Sequence, residues 1–148
     1  MKALSLWQPW ASLWACGRKT YETRSWSTDY TGAIAIHAAK RIETNISDAL
    51  REICEDEFGG HWTVELPAGA LIAVCDRVVC KPTDRLHVDE EEFAQGNFTP
   101  GRFAWDPFNM RELPAPIAWR GMQGLFDIPD NLIVGAPPPA PARQGSLL

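Results

Sequence analysis

Residues 2–8 (KALSLWQ), a short, largely apolar run with a polar residue at each end, read as a short β-strand. Pro9 suits the first position of a helix, because its missing N–H has no partner there. Trp10, Leu13 and Trp14 follow at i, i+3 and i+4, one face of a short helix, and Gly17 suits its left-handed stop. Residues 21–26 (YETRSW) carry aromatic and β-branched side chains and predict a second strand. A third is predicted over 32–39 (GAIAIHAA), after a turn at Asp29–Gly32. Its period of two puts Ile34, Ile36 and Ala38 on one face and Ala33, Ala35 and His37 on the other.

The clearest helical stripe is Ile46, Leu50, Ile53 and Cys54, predicting a helix from Ile46 to about Glu57 with Asn45 as candidate N-cap. The Gly59–Gly60 pair ends it. Residues 69–80 (GALIAVCDRVVC) read as one long strand, buried on both faces for much of its length. A short helix is expected over 89–96, before a turn at Thr99–Gly101, then strands over 102–108 and 116–120. Pro107 requires an edge or a bend. From Ala136 the chain reads APPPAPARQGSLL, a flexible or extended proline-rich tail. The expected organisation is one domain, 1–135, and a tail, 136–148. Short strands with few, short helices point to an α+β, mostly β domain of small-barrel type. Neither G-x-G-x-x-G nor a P-loop occurs, which excludes those nucleotide-binding readings.

Composition narrows the class. At 148 residues, 45% hydrophobic and 22% charged, the chain can hold a core without staples. No run of 18 apolar residues exists, so no membrane-spanning helix and no membrane partner is expected. Gln8 and Pro9 interrupt the N-terminal apolar stretch, which argues against a signal peptide. The four cysteines (16, 54, 75 and 80) show no C-x-x-C spacing and have three histidines to help them. Neither a metal site nor a disulfide framework is expected, no cofactor is implied, and a reduced, cytoplasmic protein is the default. Net charge is −5, which argues against indiscriminate phosphate binding. Residues 1–41 nevertheless carry six lysines and arginines against two acids, and four of the seven tryptophans fall in the first 26 residues. The acidic runs at 55–57 and 89–92 read as solvated faces.

The densest polar group is GRKTYETR (17–24). On a strand, Glu22, Arg24 and Trp26 share a face, and Lys19 lies just before it. A lysine in a partly apolar pocket can act as base or nucleophile. Arg24 offers a planar fork for a phosphate or a base edge, and Trp26 a stacking surface for a base. On spacing alone, a surface salt-bridge cluster explains the same residues. His37 reads as a hydrogen-bonded structural histidine, and His61 and His87 have no metal-ligand spacing. Cys75 and Cys80 read as inert thiols.

Six segments in order, LSLWQPWASL (4–13), GRKTYETRSW (17–26), YTGAIAIHAA (30–39), LPAGALIAV (66–74), GRFAWD (101–106) and GMQGLFDI (121–128), resemble the ASCH domain, a branch of the PUA-like superfamily. The resemblance implies a small β-barrel decorated with helices. It also implies a cleft floored by G-x-K-x-x-E-x-R, with Lys19, Glu22 and Arg24 lining it and Trp7, Gln8, Pro9 and Trp10 on the rim. Three functions follow as expectations. The first is binding of RNA or a modified nucleoside. The second is amide hydrolysis of an N4-acylated cytidine, with Lys19, Glu22 and Arg24 catalytic. The third is an adaptor for an unknown protein partner. The small hydrolases of the family have threonine where this chain has Glu22, and a further downstream acid, for which Glu91 and Glu92 are candidates.

Overall fold

The N-terminal apolar segment forms β1 (Lys2–Gln8), which runs parallel to β3 (Ile34–Ile42) with Ser5 opposite His37. Residues 1–133 are described in this computed structural model. The expected domain boundary and the proline-rich segment lie outside them. Between β1 and β3 come α1 (Trp10–Ala15), with Pro9 at its cap position, and β2, which is only Glu22–Arg24. The parity expected for β3 is present. Ile34, Ile36 and Ala38 join Leu4, Leu6, Trp14 and Trp105 in one core, while Ala35 joins Ala3, Leu71, Val74 and Phe126 in a second. Each fully buried aliphatic side chain contributes about 1.5–3 kcal/mol.

Helix α2 (Asp48–Phe58) is capped by Ser47, whose hydroxyl accepts from the Leu50 N–H at 3.1 Å, so the cap falls two residues after Asn45. Leu50, Ile53 and Cys54 pack on Leu13 and on Trp62 of α3 (Trp62–Glu65) in a third core. Ile46, outside the helix, packs against the same group.

The apolar segment 69–80 is not one strand. It divides at Asp76 into β4 (Ala70–Cys75) and β5 (Arg77–Pro82), which belong to different sheets. The break is held by polar bonds: the Asp76 carboxylate accepts from Asn109 at 3.1 Å and from Arg111 at 2.9 Å, and its N–H donates to the Phe108 carbonyl. The chain turns again at Asn109, with φ 56°, between β6 (Phe103–Phe108) and β7 (Arg111–Ala118). Between β5 and β6 lies α4 (Glu90–Phe93), capped by Asp89, and β8 (Leu125–Asp127) follows β7.

These turns correct the expected barrel. One sheet has the order β7-β4-β3-β1-β8 and the other β2-β6-β5, and neither closes. Closure requires every edge strand to find a partner. Here β2 and β8, each three residues long, end their sheets instead. The molecule is a mixed α+β fold with two open sheets. Pro107 lies in the middle strand of its sheet, but β2 pairs only with residues Phe103–Trp105, so one side of β6 is free of a strand at Pro107. Pro114 and Pro116 are accommodated because β7 is an edge.

Candidate functional site

The polar motif reaches its position through α4. The Glu92 carboxylate accepts from the N–H groups of Thr20 and Tyr21 at 2.7 and 3.2 Å, and the buried Gln95 side chain donates to the Arg18 carbonyl at 3.2 Å. These bonds fix the turn between α1 and β2. Lys19, only 1% exposed, then extends its ammonium to the Gln95 carbonyl at 2.8 Å and to Glu22 at 3.3 Å. Glu22 receives Arg24 on its other oxygen at 3.6 Å, and Arg24 donates to the Ser5 carbonyl at 2.9 Å. One carboxylate thus serves two cations. Burial holds the Arg24 guanidinium below its ordinary range; Glu22 opposes that shift and the nearby Arg102 adds to it by repulsion. Arg24 Nε and Gln95 Oε1 are buried without partners among the described residues. Such groups cost about 1–3 kcal/mol each.

Lys19, Glu22 and Arg24 lie together on an open cleft of about 1720 Å³. The ASCH domain model matches residues 4–117 of this sequence. The chain belongs to the ASCH domain family. Its fold is similar to the crystal structure of ASCH from Zymomonas mobilis, at 14% identity over 88% of each chain and a TM-score of 0.51. Two single-substitution variants of that protein are also similar. Each is 14% identical over 87% of this chain, covering 90% and 88% of its own, with TM-scores of 0.49. No curated protein matches the chain.

Around the motif, the ASCH cleft gathers residues from distant parts of the chain. Trp26 packs edge-on to Trp105, with centroids 4.8 Å apart, and the Arg24 guanidinium lies 5.7 Å from its ring. Trp7 and Trp10 line the cleft. Trp7 is 47% exposed, with Arg41 stacked 4.0 Å over its ring. Gln8 and Pro9 do not line it. Both are buried, and the Gln8 amide is committed to Ser12 at 2.6 Å and to the Pro67 carbonyl at 2.9 Å. Neither candidate downstream acid reaches the cleft: Glu92 holds the motif turn and Glu91 pairs with Arg18.

Sequence reasoning missed Ser5 and residues 119–124. His37 Nε2 lies 2.8 Å from the Trp119 carbonyl, which can only accept, so that nitrogen carries the proton. Nδ1 lies 2.8 Å from the Ser5 hydroxyl, which serves a neutral ring as donor and a charged ring as acceptor. Both side chains line the cleft. Gly121 approaches so closely that a Cβ there would lie 2.7 Å from the His37 ring and 3.0 Å from Ser5 Oγ. The face of His37 was legible in the strand period. Its partner Ser5 depends on the register between β1 and β3, which no local pattern carries.

The thiols stand apart from this chemistry. Burial pushes Cys54 up to about 11 and Cys75 up to about 12, and all four cysteines are free. Among the described residues, no helix is long and apolar enough to cross a membrane.

Proposed function

We propose that the cleft binds an unpaired nucleobase, carried by RNA or by a modified nucleoside. The observation that supports this best is the single carboxylate of Glu22 set between Lys19 and Arg24 on the cleft, with the Trp26 indole beside Arg24. A base edge presents donors and acceptors side by side. Glu22 offers an acceptor for an exocyclic amine, Lys19 and Arg24 offer donors for ring nitrogens and carbonyls, and Trp26 or Trp7 offers a stacking face. Lys19 fits the part of cationic donor, because its ammonium already contacts a carbonyl and a carboxylate.

A panel of ordinary and modified ribonucleosides, N4-acetylcytidine among them, tests this by thermal shift and product mass together. The expected result is a stabilising ligand of unchanged mass, bound at least about tenfold more weakly by Lys19→Met, since a charged hydrogen bond is worth about 1.5–3 kcal/mol. Lys19-dependent release of acetate from N4-acetylcytidine would replace this reading with an amidohydrolase. Silence across the panel would leave the protein-interaction adaptor.

A further inference from the structure

Ser5 and His37 take no part in base binding as described above, yet they are held as a reacting pair is held. Ser5, half-buried on β1, and His37, on β3, sit opposite each other in the parallel register, and both line the cleft. Ser5 Oγ lies 2.8 Å from His37 Nδ1, and His37 Nε2 lies 2.8 Å from the Trp119 carbonyl. A hydroxyl bonded to a base, with the base oriented by a third group, is the arrangement that activates a serine. The carbonyl fixes the tautomer. Because Nε2 keeps its proton, a neutral ring turns its lone pair to the Ser5 O–H. Water has little access to the ring, which is 2% exposed and has Phe126 edge-on at 6.1 Å. Gly121 leaves the pair its room, since a Cβ there would lie 2.9 Å from Nδ1 and 3.0 Å from Ser5 Oγ. A cation stands at the same residue: Arg24 lines the cleft and donates to the Ser5 carbonyl at 2.9 Å. Its Nε is buried with no partner among the described residues.

We propose that Ser5 is a nucleophile activated by His37, and that the pair hydrolyses carboxylic esters through an acyl-enzyme. This goes beyond the base-binding reading and does not depend on it. The Ser5 oxygen bonds to the ester carbonyl carbon as its proton passes to Nδ1 and the C=O π pair moves onto oxygen, where Arg24 offers a donor. Collapse breaks the bond to the alkoxide, which takes the Nδ1 proton and leaves as the alcohol. Water then gives a proton to Nδ1 as its oxygen bonds to the acyl carbon. The second collapse breaks the bond to Ser5, which recovers that proton, and the carboxylic acid departs. The Nε2 proton stays on the Trp119 carbonyl throughout. A carbonyl stabilises the charged ring less than the carboxylate of a full triad does. The pair therefore suits esters, whose alkoxides leave more readily than an amide nitrogen.

The full chain treated with an alkyl fluorophosphonate, which phosphonylates activated serines with loss of fluoride, tests the proposal by peptide mass spectrometry. The expected result is one adduct, on Ser5, formed by the folded chain and not by the chain in urea. With p-nitrophenyl acetate, a burst of about one nitrophenolate per chain should precede slow turnover. Ser5→Ala should lose both the adduct and the burst. His37→Gln should slow labelling at least about a hundredfold, the range for loss of a general base. A pair that only ties β1 to β3 would give no adduct at all. The adduct is read on the wild-type chain, so the proposal is decided even where His37→Gln fails to fold. No adduct on Ser5 of the folded chain, equal labelling in urea, or undiminished labelling of a folded His37→Gln protein overturns it.

Discussion

Arg18 and Lys19 are neighbours in the chain and opposite in circumstance. Arg18 points outward and meets a surplus of acid: Asp56 at 2.8 Å, Glu91 at 3.0 Å and Glu57 at 3.8 Å. Its guanidinium is held well above its ordinary range by those hydrogen bonds, Glu91 first. Lys19 points inward and must share one carboxylate with Arg24. The outer cluster is neutralised several times over and ties the turn after α1 to α2 and α4. The inner cluster is short of negative charge, and its charges are largely out of water. The same eight-residue motif therefore builds a clasp and a site, and the side on which a cation has too few partners is the side open to a ligand.

Removing Glu22 should break this contrast most severely. Glu22→Ala leaves the buried Lys19 and the half-buried Arg24 without their carboxylate, and breaking a buried pair in this way costs about 3–5 kcal/mol. Urea unfolding should report that loss in 1 M salt as well as in 0.1 M, since screening hardly reaches buried charges. A loss under about 1 kcal/mol would mean that the inner cluster is solvated like the outer one.

Glu92 joins the two clusters and should come next. Its carboxylate takes two backbone N–H groups of the motif turn, so Glu92→Ala leaves both donors unmet, at about 2–3 kcal/mol. Ligand affinity should fall with stability, because the turn that aims Lys19 is loosened. Unchanged affinity in a folded Glu92→Ala protein would show that Lys19 is placed without α4.

Trp7 separates binding from folding. It is 47% exposed with Arg41 on one side of its ring, so Trp7→Ala should cost about 1–2 kcal/mol and leave the protein folded. If a base stacks there, affinity falls about tenfold, the lower part of the roughly 1–3 kcal/mol range for base–aromatic stacking. Full affinity in Trp7→Ala would assign the stacking face to Trp26.

The parts legible in the sequence were those governed by local periodicity. The parity of Ile34, Ile36 and Ala38 and the adjacency of Lys19, Glu22 and Arg24 follow from spacings of two to five residues. What was not legible depends on partners far along the chain. An apolar run such as 69–80 gives no sign of where it changes sheets; that is decided by Asp76 meeting Asn109 and Arg111. The barrel failed for the same reason, since closure depends on edges finding each other. The family resemblance put Gln8 on the rim, yet its amide is used up inside the core. Ser5, with no motif around it, lines the cleft through its pairing with His37.

The smallest effect sharpens the comparison. Arg18→Ala removes the hub of the outer clasp, whose carboxylates at Asp56 and Glu91 are substantially exposed. Exposed ion pairs contribute about 0–1 kcal/mol each, and side-chain ordering offsets part of that. The substitution should therefore cost no more than about 1 kcal/mol in 0.1 M salt. In 1 M salt, where the Debye length shrinks from about 10 Å to about 3 Å, the cost should nearly vanish. Ligand affinity should not move, because Arg18 does not line the cleft and its backbone carbonyl, which Gln95 binds, survives the change. Parallel unfolding and binding titrations at the two salt concentrations check both halves. A salt-resistant loss as large as that of Glu22→Ala would place Arg18 in the same desolvated network as Lys19, and the division between clasp and site would fail.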